Sequence, residues 1–187
     1  KLYSFGPGAN SLKPMLALYE KGVEFTVHRL NPAIFEHHED WFKAINPRGQ
    51  VPALDHDGRI ITESTLICEY LEEAIPSPAL MPRDVDARYE VRRICAWFDD
   101  KFHSEVTSKL LYERVNKKVM GHGYPDSKNV KFGAGRIKYH LDYMAWLLDQ
   151  KRWLAGDVMT LADFTAAAHL SCLDYISDVD WNRHAVV

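Results

Sequence analysis

Two segments of this 187-residue chain hold residues whose types and order suit a small charged or peptide-like ligand. In Asn46-Pro47-Arg48-Gly49-Gln50-Val51-Pro52-Ala53-Leu54, Pro52 stands where the strand-like run Ala53-Leu54-Asp55-His56 begins. Proline cannot donate to a β-ladder, so it is tolerated only at a strand start, an edge or a bulge. Trans is the default isomer for any X-Pro bond. A cis Val51-Pro52 bond would instead turn the N–H and C=O of Val51 out of the sheet, free to pair with a peptide-like ligand. Downstream, Glu63-Ser64 opens a pattern in which Leu66, Ile67, Tyr70, Leu71 and Ala74 recur at helical spacing. The unpaired N–H groups of that helix start, with the Ser64 hydroxyl, make a small anion site. The second segment is Asn10-Ser11, ahead of Leu12-Lys13-Pro14. Asn and Ser are preferred helix caps and Pro14 fits a first turn, so the local pattern alone reads as an ordinary helix start.

The elements that must hold these residues follow from apolar periodicity and turn chemistry. Residues 2–5 read as a strand, 12–19 as a helix closed at Lys21-Gly22, and 25–30 as a second strand. Residues 31–45 read as irregular or weakly helical. Asp57-Gly58 between two apolar runs is a strong hairpin signal. Pro76, Pro78 and Pro82 give residues 76–86 a linker's composition. The expected domains are therefore 1–75 and 87–187. The second reads as helical throughout: 87 to about 119, 128 to about 150 and 161 to about 176, with Gly121-His122-Gly123-Tyr124-Pro125 as a strong break. Thr160 with Asp163 forms a capping-box pattern, a folding signal without chemistry.

Composition narrows the class without defining it. The formal net charge of −3 has both signs interspersed, so nucleic acid is not an implied partner. No run approaches a membrane span and no signal-peptide pattern is present, so a cytoplasmic location is expected. Cys68, Cys95 and Cys172 each sit in an apolar helical pattern and read as small buried hydrophobes.

The order strand, helix, strand, loop, Val-Pro, hairpin, Glu-Ser, helix resembles the thioredoxin-like N-terminal domain of the glutathione transferase superfamily. Leu2-Tyr3-Ser4-Phe5-Gly6-Pro7-Gly8-Ala9-Asn10-Ser11-Leu12-Lys13-Pro14 and Asn46 to Leu54 are similar to the bacterial β-aryl etherases, which cleave lignin-derived ethers with glutathione. Cys95-Ala96-Trp97-Phe98-Asp99-Asp100-Lys101-Phe102-His103, and Tyr139-His140-Leu141-Asp142-Tyr143 through Trp153-Leu154-Ala155-Gly156-Asp157, resemble a bacterial division protein of the same superfamily, a non-enzymatic binder of the tubulin homologue FtsZ. The resemblance implies an α/β thioredoxin-like domain followed by an all-α domain, a homodimer, and glutathione as co-substrate. Typical members carry further helices beyond the position of Val187, so the expectation is either a truncated helical domain or one in which those helices are absent.

The resemblance also implies roles. A glutathione-dependent enzyme must make a thiolate from a thiol of pKa about 8.5, and a hydroxyl donor at a helix N-terminus favours that. Ser11 takes this part, with Asn10 second. Gln50 and the main chain of Val51, ahead of Pro52, would hold the cysteinyl backbone of glutathione. Ser64 would take the γ-glutamyl carboxylate, Glu63 its amine, and His37 or His38 the glycine carboxylate. Trp97, His103 and Tyr112 would line an electrophile pocket between the domains, although their helical spacing suits core or dimer surface equally. Asp99 and Asp100 would supply an acid reaching the amine of glutathione on a second subunit; otherwise they form a solvated face or pair with Arg92, Arg93 or Lys101. His28, His56, His122, His140, His169 and His184 show no metal spacing, and no metal is expected. The expected function is a glutathione transferase that cleaves β-aryl ethers; the alternative is a non-catalytic binder of a cytoskeletal partner such as FtsZ.

Overall fold

Strand β1 (Leu2–Ser4) is buried at each of its residues because it lies inside a four-stranded sheet. It pairs in parallel with β2 (Val27–Arg29) on one side and antiparallel with β3 (Ala53–His56) on the other, and β4 (Arg59–Thr62) completes the order β2-β1-β3-β4. The computed structural model describes residues 1–6, 8–182 and 187; Pro7 and His184 lie outside the described residues. It separates into two units, Lys1–Leu80 and Met81–Val187.

In the first unit, α1 (Ala9–Glu20) packs against α3 (Ser64–Ala74), while α2 (Asp40–Ile45) follows two short 3-10 turns in the stretch expected as irregular. Tyr3, Leu30, Phe42 and Ala53 form a core cluster, with Phe5, Ile45 and Val51 packed on it. Phe42 has no exposed surface, and burial of such a side chain contributes about 1.5–3 kcal/mol. The hairpin turns at Asp57 and Gly58, both with positive φ (53° and 85°), as a right-twisting two-residue turn requires. Lys21, its side chain fully buried, donates to Glu72 Oε2 and to the carbonyls of Ile75 and Pro78. It ties the end of α1 to the segment that leaves α3.

Helix α1 starts at Ala9, three residues earlier than the pattern predicts, with Gly8 at the N-cap and no side-chain cap. Asn10 and Ser11 are thus within the first turn rather than ahead of it. Pro14 is interior rather than first-turn, and lacking an N–H it leaves the Asn10 carbonyl without its helical donor. Strand β2 is also shorter than the expected 25–30.

The second unit is helical. Its first run is continuous from α4 (Val85–Ala96) through a π-helical stretch (Trp97–Thr107), α5 (Ser108–Leu111), a second π-helical stretch (Tyr112–Asn116) and α6 (Lys117–Val119). It begins at Val85, inside the expected linker, because the Asp84 carboxylate accepts from the Ala87 N–H at 2.9 Å and caps it. Helix α7 (Ser127–Gln150) follows the Gly-rich break, and α8 (Leu161–Asp174) is buried on most sides, so it forms the centre of the unit. Thr160 and Asp163 form the expected capping box, and Asp163 Oδ1 also accepts from the Leu154 N–H. Gly133 of α7 lies so near α5 that a Cβ would stand 2.9 Å from both Leu110 Cγ and Lys109 Cβ.

Candidate active site

The sheet register gathers the predicted residues of the first unit at one end of the sheet. Tyr3 faces Ala53 and Ala53 faces Thr62, so the exit of β1, the entry to β3 and the exit of β4 are neighbours. From that end α1 departs with Asn10 and Ser11, and α3 departs with Ser64. The Val51-Pro52 bond is cis, and Pro52 is buried immediately ahead of β3. Ser11 is buried, whereas Asn10, Gln50 and Glu63 face solvent.

The loop carrying Gln50 and Val51 is held by Asn46, a buried residue that the sequence reading did not assign to the site. Its Nδ2 donates to the Gln50 carbonyl at 2.7 Å, its Oδ1 accepts from the Arg48 N–H at 3.2 Å, and its own carbonyl accepts from the Gly49 N–H at 2.8 Å. The Asn-Pro pair was the available signal, since it favours turn initiation. Gly49 adopts φ +60°, and a Cβ there would lie 2.8 Å from the His37 carbonyl. The loop therefore abuts the turn that carries the two histidines. His37 is buried, its ring edge-on to Phe5 at 5.1 Å, and its Nδ1 has no hydrogen-bond partner among the described residues. Burial, reinforced by neighbouring His38, pushes the His37 pKa down, which favours a neutral ring.

Glu63 occupies the N-cap of α3 with φ 67° and ψ 118°. Such a backbone is uncommon for a residue with a Cβ, and strain of this kind concentrates at functional sites. Its carboxylate meets Arg48 Nη1 at 2.7 Å. At the first turn of α1, Lys13 is buried and donates to Thr65 Oγ1 at 2.9 Å, joining the starts of α1 and α3. Neither Arg48 nor Lys13 was singled out by sequence.

The family model for the glutathione S-transferase N-terminal domain matches residues 1–73. FtsZ-localized protein A of Caulobacter vibrioides is 38% identical over 184 residues, covering 96% of this chain and 79% of that protein. This chain belongs to the glutathione S-transferase family. A solved glutathione S-transferase from Rhodospirillum rubrum F11 superposes with a TM-score of 0.94 at 43% identity, covering 99% of this chain and 82% of its own. Protein LigF of Sphingobium sp. is 60% identical over 104 residues, which are 54% of this chain and only 40% of LigF. The crystal structure of LigF, a β-etherase, superposes over 99% of this chain and 90% of its own at 32% identity with a TM-score of 0.77. The thioredoxin-like and all-helical parts expected from the resemblance are those of the glutathione S-transferase fold.

In the helical unit of this glutathione S-transferase family member, the three predicted pocket residues each engage a different histidine. Trp97 Nε1 donates to His140 Nδ1 at 3.0 Å, the His103 ring stands 6.0 Å from that of His169, and Tyr112 Oη lies 3.3 Å from His122 Nδ1. Because His140 Nδ1 accepts from the indole, its proton sits on Nε2, which donates to Glu105 Oε2 at 3.0 Å. Glu105 also takes Lys101 and Arg136. Burial opposes its charge, yet these hydrogen bonds outweigh it and hold its carboxyl at about 2. Burial pushes His140 down despite Glu105, and pushes His103 down against the pull of Asp99 and Asp100. Asp99 Oδ1 stands 3.6 Å from His169 Nε2, while Arg93 pairs with Glu90 and Lys101 with Glu105. Asp99 faces α8 because the helical run packs on that helix. Among the described residues no group of three or more His, Cys, Asp or Glu is placed to hold a metal, and no helix is long and apolar enough to cross a membrane.

Proposed function

We propose that the chain is a glutathione transferase in which the thiolate of glutathione attacks an electrophilic carbon, with a β-aryl ether as the substrate. The observation that carries this reading is the 60% identity to LigF over 104 residues, taken with the convergence of Ser11, Val51-Pro52 and Glu63-Ser64 at one end of the sheet. Ser11 lies in the first turn of α1, where the helix dipole and free N–H groups favour an anion and the hydroxyl can donate to it. Val51 offers main-chain N–H and C=O to the cysteinyl residue, the start of α3 with Ser64 receives the γ-glutamyl carboxylate, and Glu63 accepts from the ammonium. The neutral ring of His37 donates to the glycine carboxylate rather than pairing with it as a cation. In the reaction a C–S bond forms at the electrophilic carbon as that carbon's bond to the aryloxide oxygen breaks. The aryloxide leaves and takes up a proton, and the thiol proton passes to solvent. Orientation of two substrates and stabilisation of the thiolate then account for most of the rate. Trp97, His103 and Tyr112 form the electrophile's wall in this proposal, and the protein acts in the cytoplasm as a homodimer.

A second reading, a binding module for a cytoskeletal polymer, is favoured by the 96% coverage of this chain by FtsZ-localized protein A, whose structure superposes with a TM-score of 0.92. Isothermal titration of reduced glutathione separates the two. A Kd between micromolar and millimolar, roughly −8 to −4 kcal/mol, that Ser64→Ala and Glu63→Ala both weaken supports the transferase, and turnover of an aryl ether completes the case. No heat and no thermal shift at high glutathione, together with co-sedimentation with FtsZ, would support the binding module instead.

A further inference from the structure

We infer that His140 is a positioning residue: its imidazole, held by Glu105, fixes the indole of Trp97, the ring that the proposed function assigns to the electrophile's wall. The inference rests on that reading for what Trp97 does and on the geometry of the helical unit alone for what holds it. The π-helical stretch carries Trp97, Lys101 and Glu105, and α7 carries Arg136 and His140. Trp97 Nε1 donates to His140 Nδ1 at 3.0 Å, and His140 Nε2 stands 3.0 Å from Glu105 Oε2. Glu105 is anchored in turn by Lys101 Nζ on Oε1 at 2.7 Å and by Arg136 Nε on Oε2 at 2.8 Å. One chain of hydrogen bonds thus runs from two cations through a carboxylate and an imidazole to the indole.

The inner end of this chain is fixed and the outer end is not. His140 has no exposed surface, and its ring stands edge-on to buried Phe102 at 5.0 Å. Trp97 is only half-buried. Its other ring contacts are tilted ones to Tyr143 at 4.5 Å and Tyr139 at 6.3 Å, with the Lys101 ammonium 5.6 Å from its centroid. Ring and cation–π contacts tolerate a wide range of angles, whereas an N–H donor weakens steeply when it is misaligned. The bond to His140 therefore sets the angle of the indole.

That bond exists in one protonation state. The carboxylate keeps the proton of neutral His140 on Nε2 and leaves Nδ1 as the acceptor. A second proton would set an N–H at Nδ1 against the indole N–H, which can only donate. The titratable and charged groups facing the ring are Glu105 and Lys101 from the π-helical stretch, and Arg136 and Tyr139 from its own helix. Helix α5, which also packs on α7, brings Lys109 beside Gly133, about two turns away. Burial favours the neutral ring and prevails over Glu105, with Arg136 and Lys101 assisting it. Trp97 is accordingly held at neutral pH and released in acid.

The test follows the indole N–H of Trp97 in proton–nitrogen correlation spectra, assigned with Trp97→Phe, in the full chain and in two variants that each retain half of the imidazole. Asparagine sets its amide oxygen near the place of Nδ1, and glutamine sets its amide N–H near that of Nε2. His140→Asn should keep the Trp97 resonance in place and raise KM for an aryl ether by no more than about twofold, whereas His140→Gln should shift the resonance, speed its solvent exchange and raise that KM about fivefold more than it lowers kcat. Glutathione affinity should be the same in both. In the unsubstituted chain the resonance should titrate with an apparent pKa below 6.5, and in neither variant should it do so. This titration needs no substitution to fold. Equal effects of the two substitutions, or a resonance that moves only as every indole signal moves in unfolding, would overturn the inference. A shifted resonance with an unchanged KM would overturn it too, by removing Trp97 from the wall. No turnover of aryl ethers by the unsubstituted chain would overturn the transferase reading itself, a result distinct from any of these.

Discussion

The Asn46 side chain spans its own turn, its Nδ2 donating to the Gln50 carbonyl four residues on at 2.7 Å. One buried amide thereby sets the path of the main chain into Val51-Pro52, and it is itself shielded from water that might replace it. Asn46→Ala leaves the Gln50 carbonyl and the Arg48 N–H without that partner. It should cost about 1–3 kcal/mol in denaturant unfolding and weaken glutathione more than a substitution on the exposed face of α2 such as Lys43→Ala. Unchanged stability would remove Asn46 as the organiser of the loop.

Ser11 is the residue on which turnover should depend. With the thiolate donor gone, Ser11→Ala should lower kcat about a hundredfold with little change in glutathione affinity, because the peptide is held elsewhere. The near-ultraviolet absorbance of bound thiolate, titrated against pH, should show a higher thiol pKa in the variant. Equal kinetics for the two proteins would exclude Ser11 from the mechanism and shift attention to Asn10.

Close packing of α5 on α7 makes Gly133 intolerant of any side chain. A Cβ would lie 2.9 Å from Lys109 Cβ and Leu110 Cγ, so one helix must retreat. Gly133→Ala gains helix propensity but should still lose about 1–3 kcal/mol through overpacking. A rise in Tm would show that the helices separate at no cost.

Acid should unfold the helical unit by a mechanism that can be assigned. Buried Glu113 takes the Asp126 backbone N–H first, then Lys117 and Asn129, and its carboxyl is held at about 2 against a reference of 4.5. Arg93, against the effect of burial and with help from Lys151, holds Glu90 at about 2 as well. A carboxyl lowered by folding contributes stability that is complete above its unfolded pKa of 4.5 and is lost as pH falls toward 2. His37, His103 and His140 are pushed below 6.5, so their contribution is complete above 6.5 and also declines as pH falls. Urea midpoints should therefore drop on acidification, and Glu113→Gln should flatten the part of the curve between pH 4.5 and 2. An unaltered acid limb in that variant would contradict the assignment.

Much of this architecture was legible in the residue order, because its signals are local. A proline before the apolar residues Ala53 and Leu54, an Asp-Gly turn, a Glu-Ser helix start and a Thr-Asp capping box each act within a few residues of chain, and their positions were read correctly. Helix boundaries set by tertiary packing were not legible. Gly8 brings no side-chain cap, yet α1 begins at Ala9, with the Gly8 carbonyl accepting from the Ser11 and Leu12 N–H groups. Nor does sequence spacing reveal which polar side chains pair. Arg48 with Glu63, Lys13 with Thr65, Trp97 with His140, and His140 with Glu105 are separated by fifteen to fifty-two residues. Hydrophobic periodicity reports which face of an element is covered, but only the folded chain decides which polar groups meet beneath that face, since they must find one another once water has been excluded.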